Sequence, residues 1–343
     1  MKRMNFLIGF LLLVGILTAC SSSSTAPAEE DGKSDAGKSD DVIIIQVGHI
    51  APDDHSYTKG IELFAEAVEE ESDGRVQFEI FGNGQLGGER EIVEQVQLGS
   101  LDMTVVTGGI LGSFVPEMSV LEMPFLFEDV EHAYEALDGE VGEELMQIID
   151  EAGFKSLGIW ENGMRHIINN KHAVHSPDDM SDLKIRTVEN ELYLETYKSL
   201  GADPTPIAFP EVYTSLQQGV IDGQDNSYGV MVTTKMYEVQ NHLTENMVYY
   251  ASAPVLMNPD TFNNLPKDIQ EILVNAGKEF TQIQRDINQD MEAEQIEFLE
   301  EEGVEIVIPS AEEMAAFRAA VEPVYDKLSD QFGDMVERIQ ALR

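Results

Sequence analysis

Val42-Ile43-Ile44-Ile45-Gln46-Val47 is a continuous, largely β-branched run without Gly or Pro, the pattern of a strand buried on both faces. The turn-rich stretch Gly48-His49-Ile50-Ala51-Pro52-Asp53-Asp54 follows. Residues 59–72 then carry Ile61, Phe64, Ala65 and Val68 at helical spacing, Gly74 stops that helix, and residues 75–81 alternate like a second strand. A strand, a helix and a strand in that order are the opening unit of an α/β fold.

The alternation continues along the chain. The spacing predicts a helix over 89–98 with Ile92, Val93 and Val96 inward, a strand over 103–106, a helix within 129–152 and a strand over 155–160. Residues 165–169 read as a strand opening a new unit, 183–188 as another strand, and 191–200 as a helix. A short helix over 210–219 opens with Pro210, and residues 220–224 lead into a loop. Long helical stretches follow at 267–302 and within 311–342. The expected architecture is α/β with mostly parallel sheets and no internal repeat. Ligands in such sheets bind beyond the carboxyl ends of strands, so the loops of interest are 49–54, 82–90, 107–114, 162–165, 186–190 and 224–229.

Upstream of this body lies a different kind of sequence. Lys2 and Arg3 precede the apolar run 6–17, which is too short for a stable membrane span and ends in Leu17-Thr18-Ala19-Cys20. This resembles a bacterial lipobox, in which the processed Cys carries a diacylglycerol. Residues 1–19 are then a signal peptide and Cys20 the lipidation site. The plainer readings are a spare thiol behind an ordinary signal, or a short anchor helix. Cys20 is the sole cysteine, so no internal disulfide forms. Residues 20–41 are poor in large apolar side chains and read as a flexible, lipidated linker.

About 300 residues remain, enough for a core divided between two lobes, with no later run suited to crossing a bilayer. The chain carries 64 acidic against 21 basic residues, a formal charge of −43; loss of Lys2 and Arg3 would make it −45. That excludes nucleic acid, which needs a basic surface, and favours a soluble monomer. The field also opposes an anionic ligand, so an anion site has to rest on a few local arginines. Arg165 and Arg186 each lie at a candidate loop, and a guanidinium fork matches a carboxylate bidentately. Their plainer role is an ion pair with one of the many acids. Asn226, in Asp222-Gly223-Gln224-Asp225-Asn226, has amide hydrogens to donate to a ligand oxygen, or serves turn chemistry.

Metal and catalytic readings are weaker. His166, His172 and His175 fall on or beside an alternating stretch that sends neighbours to opposite faces, with no Cys or HExxH pattern in support. No physiological metal or other cofactor is expected. His49 and His55 share a loop with Asp53 and Asp54, which is compatible with a metal, a bound hydroxyl or a solvated loop; His49 is favoured as a pocket-lining residue. There is no GxSxG, no P-loop and no GxGxxG after the first strand, and among so many acids paired carboxylates carry no information, so an enzyme is not expected.

A family resemblance rests on longer runs. Asp182-Leu183-Lys184-Ile185-Arg186, Leu200-Gly201-Ala202-Asp203-Pro204-Thr205-Pro206 and Glu211-Val212-Tyr213-Thr214-Ser215-Leu216-Gln217-Gln218-Gly219-Val220-Ile221-Asp222-Gly223-Gln224-Asp225-Asn226 resemble segments of the substrate-binding proteins of tripartite ATP-independent periplasmic (TRAP) transporters. Gln85-Leu86-Gly87, Leu98-Gly99-Ser100-Leu101-Asp102-Met103 and Lys235-Met236-Tyr237-Glu238-Val239-Gln240 fit as well, so the similarity covers nearly everything after the linker. The resemblance implies two α/β lobes, joined by a hinge and a long helix, that close on one ligand. It implies lobe I at 42–162 plus about 252–291, and lobe II at 163–251 plus about 292–343. It implies that Arg186 pairs with a ligand carboxylate, Arg165 and Asn226 assist, Phe209 packs on the ligand, and a sodium-coupled permease at the membrane receives the cargo. Thr107 and Ile110 stand where the sialic-acid branch carries an acid and an Arg, so sialate is not expected and Thr107 becomes a candidate contact. Glu89 and Glu189, as hydroxyl acceptors, would favour a uronate or aldonate over a bare dicarboxylate; the alternative is that both are surface or capping groups. A C4-dicarboxylate receptor is the alternative within the family. A surface hydrolase, a metal-capture lipoprotein and a sensory receptor are the rivals outside it.

Overall fold

The computed structural model describes residues 42–343. The signal peptide, Cys20 and the linker lie outside the described residues.

The opening strand–helix–strand unit forms as the sequence predicts, except that its first strand is not buried on both faces: Ile44 is half exposed. Strand β1 (Ile43–Gly48) is followed by α1 (Ser56–Glu71), β2 (Val76–Phe81), α2 (Glu89–Leu98), β3 (Met103–Val105) and the single turn α3 (Gly108–Leu111). β1 pairs in parallel with β2 on one side and β3 on the other. Helix α2 begins after Gly88 with Glu89 and Glu91 in its first turn, where carboxylates complement the helix dipole, and ends at Gly99 in the left-handed conformation, φ 73°. The stretch 129–152 holds two helices rather than one, α4 (Val130–Leu137) and α5 (Glu140–Glu151), separated by Asp138 and Gly139.

The centre of the sheet differs from the expectation. Residues 155–169 are not two strands flanking a loop but one 15-residue strand, β4 (Lys155–Asn169). The polar and glycine signal at Asn162-Gly163 belongs to a bulge inside that strand. The pairing register shifts between Glu161 and Gly163, and Gly163 holds φ 104°, a conformation that strains other residues. The next elements are β5 (Lys184–Thr187), α6 (Glu191–Ser199), β6 (Asp203–Pro206), α7 (Val212–Gln217), β7 (Gly223–Asn226) and α8 (Tyr228–Thr233). Asn226 therefore lies on a strand instead of the loop expected there. The 16-residue strand β8 (His242–Met257) is absent from the sequence reading; buried along most of its length, it shows no alternation to reveal it. After it come α9 (Pro259–Asn264), α10 (Lys267–Glu301), β9 (Glu305–Val307), α11 (Ala311–Ala320), α12 (Glu322–Leu328) and α13 (Met335–Gln340).

The strands join into one sheet in the order β2-β1-β3-β8-β4-β7-β5-β6, with β9 on β8. The flanking pairs are parallel as expected. The β3–β8, β8–β4 and β4–β7 contacts are antiparallel, so the middle of the sheet departs from a mostly parallel arrangement. β4 and β8 are the two strands that run from one parallel set to the other. On the first side, Ile45, Val47, Ile61, Phe64, Trp160 and Phe280 pack into one core. A larger core includes Val93, Leu121 and Ile159 along with Ile185, Tyr197 and Tyr249 from the second side.

The 35-residue α10 spans about 50 Å at 1.5 Å per residue and lies along β4 and α1. Glycines set this close approach. A Cβ on Gly277 would stand 2.1 Å from the Leu157 carbonyl oxygen, and one on Gly158 2.5 Å from the Thr281 hydroxyl. Gly277→Ala is expected to push helix and strand apart and to lower stability by about 1–3 kcal/mol in urea denaturation, the usual cost of overpacking a core.

Candidate functional site

Arg165 leaves β4 just beyond the bulge and is fixed by β7. Its Nε pairs with the Asp225 carboxylate, Nη2 donates to the Asp225 backbone carbonyl at 2.6 Å, and Nη1 donates to Asn226 Oδ1 at 3.0 Å. The antiparallel register, with Asn226 opposite His166 and Asp225 opposite Ile167, places these groups together. Both side chains of the ion pair are almost wholly buried. Burial is the largest single influence and opposes the Arg165 charge, but Asp225, Tyr193 and Glu122 together outweigh it and drive the guanidinium pKa up.

Arg186, on β5, has a different environment. Its Nε donates to the Ile207 carbonyl at 2.8 Å and its guanidinium lies 5.8 Å from the Phe209 ring centroid. It makes no ion pair among the described residues. Burial, with the nearby Arg165 charge as the next cause, pushes its pKa down to about 10, so it stays cationic at neutral pH. A buried cation whose terminal guanidinium nitrogens make no hydrogen bond among the described residues has the chemistry to pair with an anion.

Arg165, Arg186, Asn226, Phe209, Glu89 and Thr107 line one cavity with about 440 Å³ of space free of protein atoms, part of it open to solvent. Glu89, the first residue of α2, accepts from the Thr107 backbone N–H at 2.7 Å and from the Thr107 hydroxyl at 3.0 Å. Burial raises its pKa, opposed by the Thr107 bonds and then by Arg186 and Arg165. The lining therefore carries two guanidinium groups and a carboxyl within electrostatic reach of both.

Two sequence candidates fall elsewhere. His49 is fully buried, neither ring nitrogen has a hydrogen-bond partner, and its ring packs so close to Gly82 that a Cβ there would lie 3.0 Å from Cε1. Its N–H donates to the Phe81 carbonyl at 3.0 Å, which continues the β1–β2 pairing and holds the ring in the core. Burial lowers its pKa to about 4. His55, in the same loop, lines the cavity instead. Glu189 also lies outside the cavity. The chain leaves β5 at Thr187, Val188 takes the lining position, and Glu189 faces Arg90, with 3.7 Å between the Arg90 Nε and a Glu189 carboxylate oxygen. Its backbone carbonyl accepts from Ser113 Oγ at 2.8 Å.

Tyr57 and Asn162 line the cavity without having been singled out. Asn162 falls within an expected loop, whereas Tyr57 precedes the predicted start of α1. The remaining histidines do not converge. His166 packs on Tyr228 with 4.6 Å between ring centroids, and His175 pairs with Glu313. Among the described residues no group of His, Cys, Asp and Glu is arranged to hold a metal, and no helix is long and apolar enough to cross a membrane.

A buried cleft with an anion-binding wall between two parts of an α/β sheet is the arrangement of a solute receptor. The comparisons give the family: residues 47–331 match the model of bacterial extracellular solute-binding protein family 7, also called DctP, and the chain belongs to that family of TRAP transport receptors. It is 40% identical over 273 residues to a solute-binding protein of Verminephrobacter eiseniae, covering 80% of this chain and 81% of that one. A TRAP periplasmic solute binding protein from a Polaromonas species, bound to D-erythronate, superimposes with a TM-score of 0.84 at 36% identity, over 87% of this chain and 98% of the other. One from Sulfurospirillum deleyianum, with bound succinate, gives a TM-score of 0.83 at 32% identity, over 88% and 100%. The two-lobed fold and the extracytoplasmic solute-binding class are thus those of this chain.

Behind Arg165 lies a buried carboxyl that the sequence did not mark. Glu122 is fully buried, accepts from Tyr193 Oη at 2.5 Å and lies 3.4 Å from Ser252 Oγ. Burial lifts its pKa from 4.5 to about 7. A carboxyl whose pKa is higher folded than unfolded contributes stability that is complete below the unfolded value and lost as pH rises through the folded one. Its contribution should fall between about pH 4.5 and 7. Glu292, raised to about 7 by burial beside Glu161 and Glu245, has the same sign. In urea denaturation across this range, Glu122→Gln is expected to show a shallower decline than the wild type; an unchanged slope contradicts the assignment.

Proposed function

We propose that this receptor captures a small hydroxylated monocarboxylate, an aldonate or uronate, and delivers it to a TRAP permease. The carrying observation is Arg186, a buried guanidinium with no carboxylate partner among the described residues, beside Arg165 and Asn226 in one partly open cavity. A ligand carboxylate completes the charge balance on that side. Charge-assisted bonds to it strengthen as water leaves the cleft. Phe209 and Val188 supply apolar contact, and Glu89, held by Thr107, accepts from a ligand hydroxyl.

The lobe boundaries read from the sequence put Glu89 and Thr107 on lobe I and Arg165, Arg186, Phe209 and Asn226 on lobe II. Ligand capture then means closure of one lobe on the other. The D-erythronate bound to the Polaromonas neighbour supports a hydroxylated acid. The second reading, a C4-dicarboxylate, draws on the succinate of the Sulfurospirillum neighbour. Glu89 disfavours it, because a second ligand carboxylate would meet a like charge. Cys20 carries the lipid that tethers a monomeric receptor to the extracytoplasmic face of the cell membrane.

Arg186→Ala is expected to weaken ligand binding by about 2–5 kcal/mol in titration calorimetry, the cost of removing one partner of a desolvated charge pair. Unchanged affinity removes Arg186 from the site. A thermal-shift screen of aldonates, uronates, C4-dicarboxylates and keto acids separates the substrate readings, since a ligand specific to the folded state raises the melting midpoint by mass action.

A further inference from the structure

His55 lines the same cavity as Glu89, and its proton position follows from its contacts. It is the N-cap of α1, and its Nδ1 accepts from the Tyr57 backbone N–H at 3.1 Å. A nitrogen that accepts through its lone pair carries no proton, so in the neutral imidazole the N–H is on Nε2. Burial keeps the ring neutral, with its pKa lowered to about 3. Nε2 makes no hydrogen bond among the described residues, it is not among the sealed unpartnered atoms, and the ring lines the cavity. It therefore presents an N–H donor to the cavity.

Glu89 supplies the complementary function. Each of its oxygens already accepts one bond from Thr107, and each retains a lone pair. A donor and an acceptor lining one cavity are the requirement for recognising hydroxyl groups, which both donate and accept hydrogen bonds. A methylene offers neither function. A second carboxylate offers acceptors to His55 but nothing to Glu89.

We propose that His55 is a specificity-determining residue: its Nε2–H donates to a hydroxyl oxygen of the bound acid while Glu89 accepts from a hydroxyl of the same ligand. This rests on the hydroxylated-acid reading of the site. His55 acts here as a fixed donor and not as a metal ligand or a titrating switch.

Two variants at position 55 separate this role from capping. Asn is a good N-cap that keeps an acceptor for the Tyr57 N–H but has no donor at the reach of Nε2. Gln carries an amide N–H₂ close to that reach. Wild type, His55→Asn and His55→Gln are titrated calorimetrically with D-erythronate, D-galactonate, D-glucuronate and succinate, and each ligand-free melting midpoint is recorded.

The expected result is binding of at least one hydroxylated acid by the wild type, a roughly tenfold to hundredfold loss of that affinity in His55→Asn, and partial recovery in His55→Gln. The ligand-free midpoint of His55→Asn stays near that of the wild type. Wild-type affinity in His55→Asn, or equal losses in both variants, overturns the assignment of His55. If the wild type binds succinate and none of the hydroxylated acids, the substrate reading itself falls, and the role of His55 falls with it.

Discussion

The buried ion pair between Arg165 and Asp225 is the constraint on which the site depends. Two buried guanidinium groups line one cavity, and both could not remain charged there without compensation. Asp225 neutralises Arg165 from behind and leaves Arg186 as the unmatched cation. The pair exists only because β4 and β7 are antiparallel and in the register that sets Asn226 against His166. Breaking such a pair by removing one partner typically costs 3–5 kcal/mol. Secondary structure, register and charge balance are therefore one requirement in this protein.

The same requirement reconciles an anion site with a chain of formal charge −43. Charges at the surface are screened over roughly 8 Å at physiological ionic strength, whereas a desolvated contact is screened far less. The long-range field opposes approach of an acid, and in the function proposed the short-range field at Arg186 retains it. Recognition is governed by a few ångströms of chemistry.

Much of this was legible in the sequence. Helix α2 spans the residues its periodicity marks, and the glycine after it stops it. Arg186, Arg165 and Asn226 stood out because cations are scarce and because the surrounding runs resemble a known family. What was missed has physical causes. Strand β8 is buried along most of its length, so no alternation exposes it. The Asn162-Gly163 pair looked like a loop because a bulge and a turn use the same residues. His49 and His55 are indistinguishable by composition, and only the continued β1–β2 pairing sends one into the core and leaves the other at the cavity. Glu189 fell away because its partner, Arg90, is 99 residues distant in sequence.

β4 carries Asn162 and Arg165 at the cavity and is also one of the two strands that run between the parallel sets of the sheet. The lining of the cavity and the link between the two parallel sets are consequently built on a single backbone ribbon. The bulge at Gly163 sits between the two cavity residues of that ribbon, so the same irregularity that bends the strand also sets the spacing of Asn162 and Arg165.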